Sequence, residues 1–90
     1  MLVKFLATYR QIAGCKSCDG PAPQDVLALM GVLSERWPAF RTLLLSPDGT
    51  ERGKDVIILV NGRHIEHLDG MATPLTEEDY VVVTPVVAGG

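Results

Sequence analysis

The chain is short of the residues that most often announce a function. It has two cysteines, Cys15 and Cys18 in "GCKSCDGP", and two histidines, His64 and His67. A structural zinc site generally needs four ligands, and no second Cys pair or local His pair completes one, so no metal is expected. A CxxC pair with a lowered thiol pKa can be a redox motif at the start of a helix. Here Asp19-Gly20-Pro21 follows and reads as a turn, which leaves a loop with two free thiols as the simpler reading. Positive charge is scarce as well: 8 Lys and Arg stand against 11 Asp and Glu, and none of the 8 falls between Glu66 and Gly90. Nucleic-acid binding wants clustered cations against phosphates, so no nucleic-acid partner is expected. No apolar run approaches a membrane span. The start "MLVKFLATYRQ" lacks a basic leader, a long apolar region and a small-residue cleavage site, so neither membrane nor signal peptide is expected and the default location is cytoplasmic. The serines at 17, 34 and 46 have no nucleophile context, and nothing places Glu77, Glu78 and Asp79 in a cleft for acid–base work.

What is present reads as one small folded domain over 1–90. The apolar fraction is 47%, without low-complexity tracts. "LVKFLAT" (Leu2–Thr8) alternates as a strand, with Val3, Phe5 and Ala7 on one side and Lys4 on the other. "YRQIAG" makes a helical turn before Gly14, and a weak strand follows around Cys15–Asp19. "PAPQDVLALMGVLSERWPAF" is the main helix. Pro23 suits its first turn and Asp25 complements its positive end. Val26, Leu29, Met30, Leu33 and Trp37 form one buried face, and Pro38 stops the helix near Arg36. Gly31 costs about 1 kcal/mol against alanine in a helix interior, for which close packing is one candidate reason. "RTLLL" reads as a short strand before the turn at Ser46-Pro47-Asp48-Gly49. "DVIILVNGRHI" is a hairpin on an Asn-Gly type I′ turn. "LDGMATPLTEED" is loop, with its acids at the edge of the last strand, "YVVVTPVV". Pro85 lacks an N–H for the ladder, so pairing should weaken there and the tail should leave the sheet.

The order predicts an α+β sheet with one main helix across one face. "VIILV" and "YVVV" are apolar at consecutive positions, so both sheet faces carry large side chains. A second covering element, or an open apolar face that marks a partner site, accounts for this equally well. Acids in the C-terminal third suit a basic partner or a solvated face.

The ending, "TPVVAGG", holds the most specific feature. Pro85, Val86, Val87, Ala88, Gly89 and Gly90 project a slim peptide from a rigid strand with no polar spacer. Its distinctive group is the α-carboxylate of Gly90. A carboxylate is a poor acyl donor at neutral pH, but as a mixed anhydride with AMP it accepts a sulfur or amine nucleophile.

With "LVKFLATYRQIAG", "DVLALMGVLSERWPAF", "VIILVNGRHI" and above all "TPLTEEDYVVVTPVVAGG", the chain resembles the molybdopterin synthase small subunits, a family of ubiquitin-like sulfur carriers. The resemblance implies a β-grasp fold, with a mixed sheet of four to five strands. It implies that an adenylyltransferase related to the ubiquitin-activating enzymes uses ATP to activate Gly90. A persulfide donor then converts Gly90 to a thiocarboxylate. The tail enters a large catalytic synthase subunit, where its sulfur goes to a pterin precursor of the molybdenum cofactor. On that reading Gly90 carries the reactive group and Pro85–Gly89 contact the partner. The chain binds no cofactor of its own and is a co-substrate rather than an enzyme. Glu78-Asp79 stands where that family commonly has Gly-Asp, and Pro85-Val86 where it often has two prolines. Carriers serving thiazole, cysteine or tungsten-cofactor pathways therefore stay open. So does a protein modifier joined to lysines through Gly90, and so does a β-grasp interaction module whose glycines are idle.

Overall fold

Val3 and Phe5 alternate with Leu2 and Lys4, and the alternation folds as strand β1 (Leu2–Phe5), with Val3 and Phe5 buried. The structure is a computed structural model that describes residues 1–86. Ala7, expected on the buried side of this strand, lies beyond its end and is exposed. The expected helical turn is α1 (Thr8–Ala13), which stops at Gly14; there a φ of 72° lets the glycine N–H reach back to the Arg10 carbonyl. Strand β2 (Ser17–Asp19) then returns antiparallel along β1.

Helix α2 (Val26–Arg36) is capped by Asp25, whose carboxylate accepts from the Ala28 N–H at 2.8 Å. Pro23 does not open the helix. The stretch before Asp25 is instead tied to a distant loop: Gln24 O accepts from the Leu75 N–H and Asp25 bridges Pro74. Val26, Leu29, Met30 and Leu33 form the buried face. Trp37 is extended as the residue before a proline must be, and packs half-buried against the core. A Cβ on Gly31 would meet nothing within 4 Å, so close packing is not the reason for that glycine.

"RTLLL" corrects the expectation of a strand. A 3-10 turn (Pro38–Phe40) runs into a short helix, α3 (Arg41–Leu44). Pro38 presets the first φ of the turn, and Phe40 and Leu44, one helical turn apart, are both fully buried. Three successive leucines carry no period, so the sequence alone did not separate strand from helix. Phe40 stacks on Phe5 with centroids 5.5 Å apart, and Tyr9 meets its edge at 5.4 Å.

Strands β3 (Val56–Val60) and β4 (Arg63–His64) form the expected hairpin, with φ of 52° at Asn61 and 85° at Gly62 as a type I′ turn requires. The return strand is only two residues long, because a 3-10 turn (Ile65–His67) sends Ile65 into the core. A further 3-10 turn (Gly70–Ala72) precedes strand β5 (Tyr80–Pro85). The sheet order is β2-β1-β5-β3-β4, with β5 parallel to β1 and antiparallel to β3. This is the expected α+β architecture with a mixed sheet.

The expectation at Pro85 needs a correction of side. Pro85 still sits opposite Val56, and the Val86 N–H still donates to the Asp55 carbonyl at 2.9 Å. In an antiparallel pair the hydrogen-bonded residues alternate, and Val86–Asp55 sets the phase, so the Pro85 nitrogen points toward β1. The last bond on that side is Leu6 N–H to Val83 O. Proline thus ends the β1 ladder and leaves the β3 ladder whole.

Glycine is required at Gly53. Its N–H bonds Leu44 O at 2.9 Å, and a Cβ there would collide with the Leu43 carbonyl. A backbone carbonyl has little room to yield. Gly53→Ala should destabilise the fold by about 1–3 kcal/mol, as overpacking does, and urea denaturation reads the loss directly.

Candidate functional site

The main chain of β5 supplies the frame of the site. Val81 and Val83 face α2 and are fully buried, while Tyr80, Val82 and Thr84 alternate onto the opposite face. The register places Leu2 beside Tyr80, and Lys4, Val82, Leu59 and His64 in one row, with Ile57 beside Thr84. Among the described residues no helix or strand lies across this face. Leu2 and Tyr80 are 36% and 37% exposed, and Ile57, Leu59 and Val82 are half-buried. Of the two readings of the surplus apolar positions, the open face is therefore the one observed. It is an apolar strip with Lys4 standing beside Val82.

The strand is fastened at both ends. At its start the Asn61 amide donates from Nδ2 to Asp79 Oδ1 at 2.9 Å, and its Oδ1 accepts from the Tyr80 N–H at 2.9 Å. Asp79 Oδ2 also accepts from the Thr76 N–H. These bonds, Asn61 first, hold the Asp79 carboxyl below the ordinary aspartate range. At its far end Val86 hangs on Asp55. Beside that exit Arg52 donates to Val56 O at 3.0 Å and to Glu66 Oε1 at 2.6 Å, with His64 Nε2 3.4 Å away. β4 is too short to reach the Val56 carbonyl, and the guanidinium takes its place. Asp55 and Arg52 carried no signal in the sequence, because one acts through its main chain and the other through a long-range fold contact.

Of the anticipated tail residues, Pro85 is half-buried in the sheet and Val86 is 49% exposed. Val87, Ala88, Gly89 and Gly90 lie outside the described residues. The residues weighed for other chemistry are not assembled into a centre. Cys15 and Cys18 are free thiols, half-buried, and burial pushes the Cys18 thiol up, which keeps it protonated and a poor nucleophile. The His64 and His67 rings are 6.4 Å apart, and His64 Nδ1 accepts from the Glu66 N–H. Among the described residues no group of three His, Cys, Asp or Glu could hold a metal ion, and no helix is long and apolar enough to cross a membrane.

Three comparisons bear on this frame. The model of the ThiS family matches residues 3–90. Small archaeal modifier protein 3 of Haloferax volcanii is 38% identical over 90 residues, covering 98% of this chain and 96% of that one. Among solved structures, small archaeal modifier protein 1 from Methanosarcina acetivorans superposes with a TM-score of 0.85 at 28% identity, covering 99% of this chain and 94% of that one. A putative molybdopterin converting factor, subunit 1, from Pyrococcus furiosus gives 0.72 at 28% identity, covering 96% and 95%. The fold is thus the ubiquitin-like β-grasp. The resemblance to molybdopterin synthase subunits widens to a family whose likenesses include archaeal modifiers.

Asp79 yields a prediction with a definite sign. Its folded pKa lies below that of an ordinary aspartate, so its stabilisation is complete at neutral pH. It is lost as the pH falls below that value through the folded pKa. The residue is only half-buried and its carboxyl lies near solvent, so screening limits the effect to about 0.5–1 kcal/mol. Asp79→Asn should lower stability by that amount at pH 7 and by progressively less in acid, measured by denaturation at a series of pH values.

Proposed function

The chain belongs to the ThiS family, and on that premise we propose that it is a ubiquitin-like sulfur carrier whose working group is the Gly90 carboxylate. The observation that carries this reading is the anchoring of β5. A central strand, bonded on both sides and held to Asp55 at Val86, delivers the following residues from a fixed point beside an open apolar face. ATP activates the carboxylate as an acyl adenylate, with release of pyrophosphate. A persulfide sulfur then displaces AMP, and cleavage of the resulting acyl disulfide by a thiol leaves the thiocarboxylate. Ala88 and Gly89 present little beyond backbone, which suits passage into a narrow catalytic channel. The acids and bases of the reaction belong to the adenylyltransferase and to the large synthase subunit. The acceptor is a pterin precursor of the molybdenum cofactor, a reading supported by the likeness to the Pyrococcus furiosus protein.

A second reading has its own support in the 38% identity to a protein named as a modifier. The same adenylate, intercepted by a lysine amine with loss of AMP, gives an isopeptide bond instead of a thiocarboxylate. Both readings use Gly90, and both need a slim tail. They part at the nucleophile. Intact mass of the protein from its own host tests the first, since one terminal oxygen is exchanged for sulfur. A branched peptide ending in Gly-Gly on a lysine of another protein marks the second. Absence of both products rules out a working carboxylate.

Deleting Gly90 should leave folding nearly unchanged and abolish sulfur transfer, because an acyl group displaced by even about 1 Å can lose on the order of a hundredfold in rate. Adding a residue after Gly90 should be as harmful, and Gly89→Ala intermediate or worse. Pyrophosphate exchange with the activating enzyme, followed by thiocarboxylate mass and transfer, separates the steps. Normal transfer by the Gly90 deletion would sink the proposal. The double variant Cys15→Ser, Cys18→Ser should form thiocarboxylate at the wild-type level, since the sulfur rides on Gly90.

The open face generates a separate expectation. Leu59→Asp, on a half-buried position turned away from α2, should keep the fold but weaken association with the large subunit by about tenfold or more. Unchanged affinity in calorimetry would show that the partner docks elsewhere.

A further inference from the structure

A second surface, separate from the tail and the open sheet face, has the features of a peptide-binding edge. Between α2 and β2 lies a groove of about 400 Å³ whose walls include Val3, Ala22, Leu29, Val32, Leu33 and Arg36. Val32 is 51% exposed on its helix side, more than any other large apolar side chain among the described residues. β2 is an edge strand of the sheet. Its inward-facing bonds are fixed in phase by Phe5 N–H to Lys16 O and Gly20 N–H to Met1 O, which makes Val3–Cys18 the matching inward pair. The main-chain groups of Ser17 and Asp19 therefore point outward, and among the described residues no turn or loop bond takes them up.

Charge marks one end of this groove. α2 returns against the direction of β2, so Arg36 stands at the end where β2 begins, its guanidinium 4.5 Å from the centre of the Trp37 ring, which itself packs on Phe5. Lys16 precedes β2 at the same end. Among the described residues neither cation has a carboxylate within ion-pair distance.

We propose that this groove binds an extended, acid-ended segment of a partner protein as a sixth strand of the sheet. The segment pairs with the outward main chain of Ser17 and Asp19, sets alternate apolar side chains between β2 and α2, and ends in acidic residues beside Lys16 and Arg36. Strand addition takes its affinity from main-chain bonds and its selectivity from the pockets that receive every second side chain. A second copy of the chain is a poorer occupant. Two β2 strands paired about a two-fold would add only Cys18 on the helix side and leave the groove unfilled. The chain's own last strand is remote, because β1 lies between β5 and β2 and Val86 leaves the sheet beside Asp55.

The probe is a capped peptide of alternating valine and threonine followed by two glutamates, titrated into the 15N-labelled full chain. Amide shifts should concentrate at Ser17–Gly20 and along Leu29–Arg36, and the affinity should fall with added salt. Arg36→Glu should weaken binding by about tenfold, and a peptide with lysines in place of the glutamates should bind as weakly. Ser17→Pro removes an outward N–H at the first residue of an edge strand, where proline is tolerated, and should abolish binding with the folded spectrum retained. Val32→Glu serves the same end by charging the groove wall without touching the strand. No shifts with millimolar peptide would overturn the proposal. So would shifts confined to Leu59 and Val82, or equal binding by Arg36→Glu, or concentration-dependent shifts at β2 without peptide, which would assign the edge to a second copy. None of these readouts involves Gly90, so this proposal and the carrier reading stand or fall separately.

Discussion

The parallel pairing of β1 with β5 is the contact on which the rest of the molecule depends. It joins Leu2 to Tyr80 and Phe5 to Val83, the first strand to the last. A parallel pair cannot be closed by a tight turn and needs a long crossover. Here the crossover is nearly the whole chain. α2 must lie on one side of the sheet for the ends to meet, and Val81 and Val83 are buried beneath it. The hairpin then finds its place by pairing β3 with the free side of β5. With β5 in the centre, its side chains split cleanly: valines at 81 and 83 for the core, Tyr80, Val82 and Thr84 for the other face.

That division produces two surfaces from one strand. The core face is closed by Leu29, Met30 and Leu33 of α2 together with the Phe5, Phe40 and Tyr9 rings. The other face keeps its aliphatic groups partly in water, as a surface that receives a partner does. Anchors at Asn61–Asp79 and Asp55–Val86 hold the strand that separates the two. The chemistry of the proposed carrier then needs nothing catalytic from this chain, only a stiff support and a carboxylate at a set reach from it.

Much of this was legible in the sequence where local chemistry decides local structure. Asn61-Gly62 specified its turn, Pro38 its helix end, and the spacing from Val26 to Leu33 its buried face. Errors arose where a local rule met a long-range contact. Pro23 was a sound first-turn residue, yet the Gln24–Leu75 bond holds that segment extended. The leucines at 43, 44 and 45 gave no period, and burial of Phe40 with Leu44 settled them as helix. Pro85 reads locally as a break in pairing, whereas its effect depends on which neighbour its nitrogen faces. Arg52 and Asp55 could not be found at all, since only the folded register brings Val56 and Val86 to them. The tail is the reverse case: its reading rests on residue type and order alone, and Val87, Ala88, Gly89 and Gly90 lie outside the described residues.

The late arrival of the central strand has a consequence for synthesis. As the chain emerges from a ribosome, β1, α2 and the hairpin appear first, but they share no sheet until β5 enters between β1 and β3. Contacts of such long sequence separation form late and slowly. A polypeptide broken off before Tyr80 would have two half-sheets with a missing middle and exposed edges prone to the wrong partners. Folding therefore acts as a proofreading step on length, because the globule is finished only when translation has passed the strand that completes it.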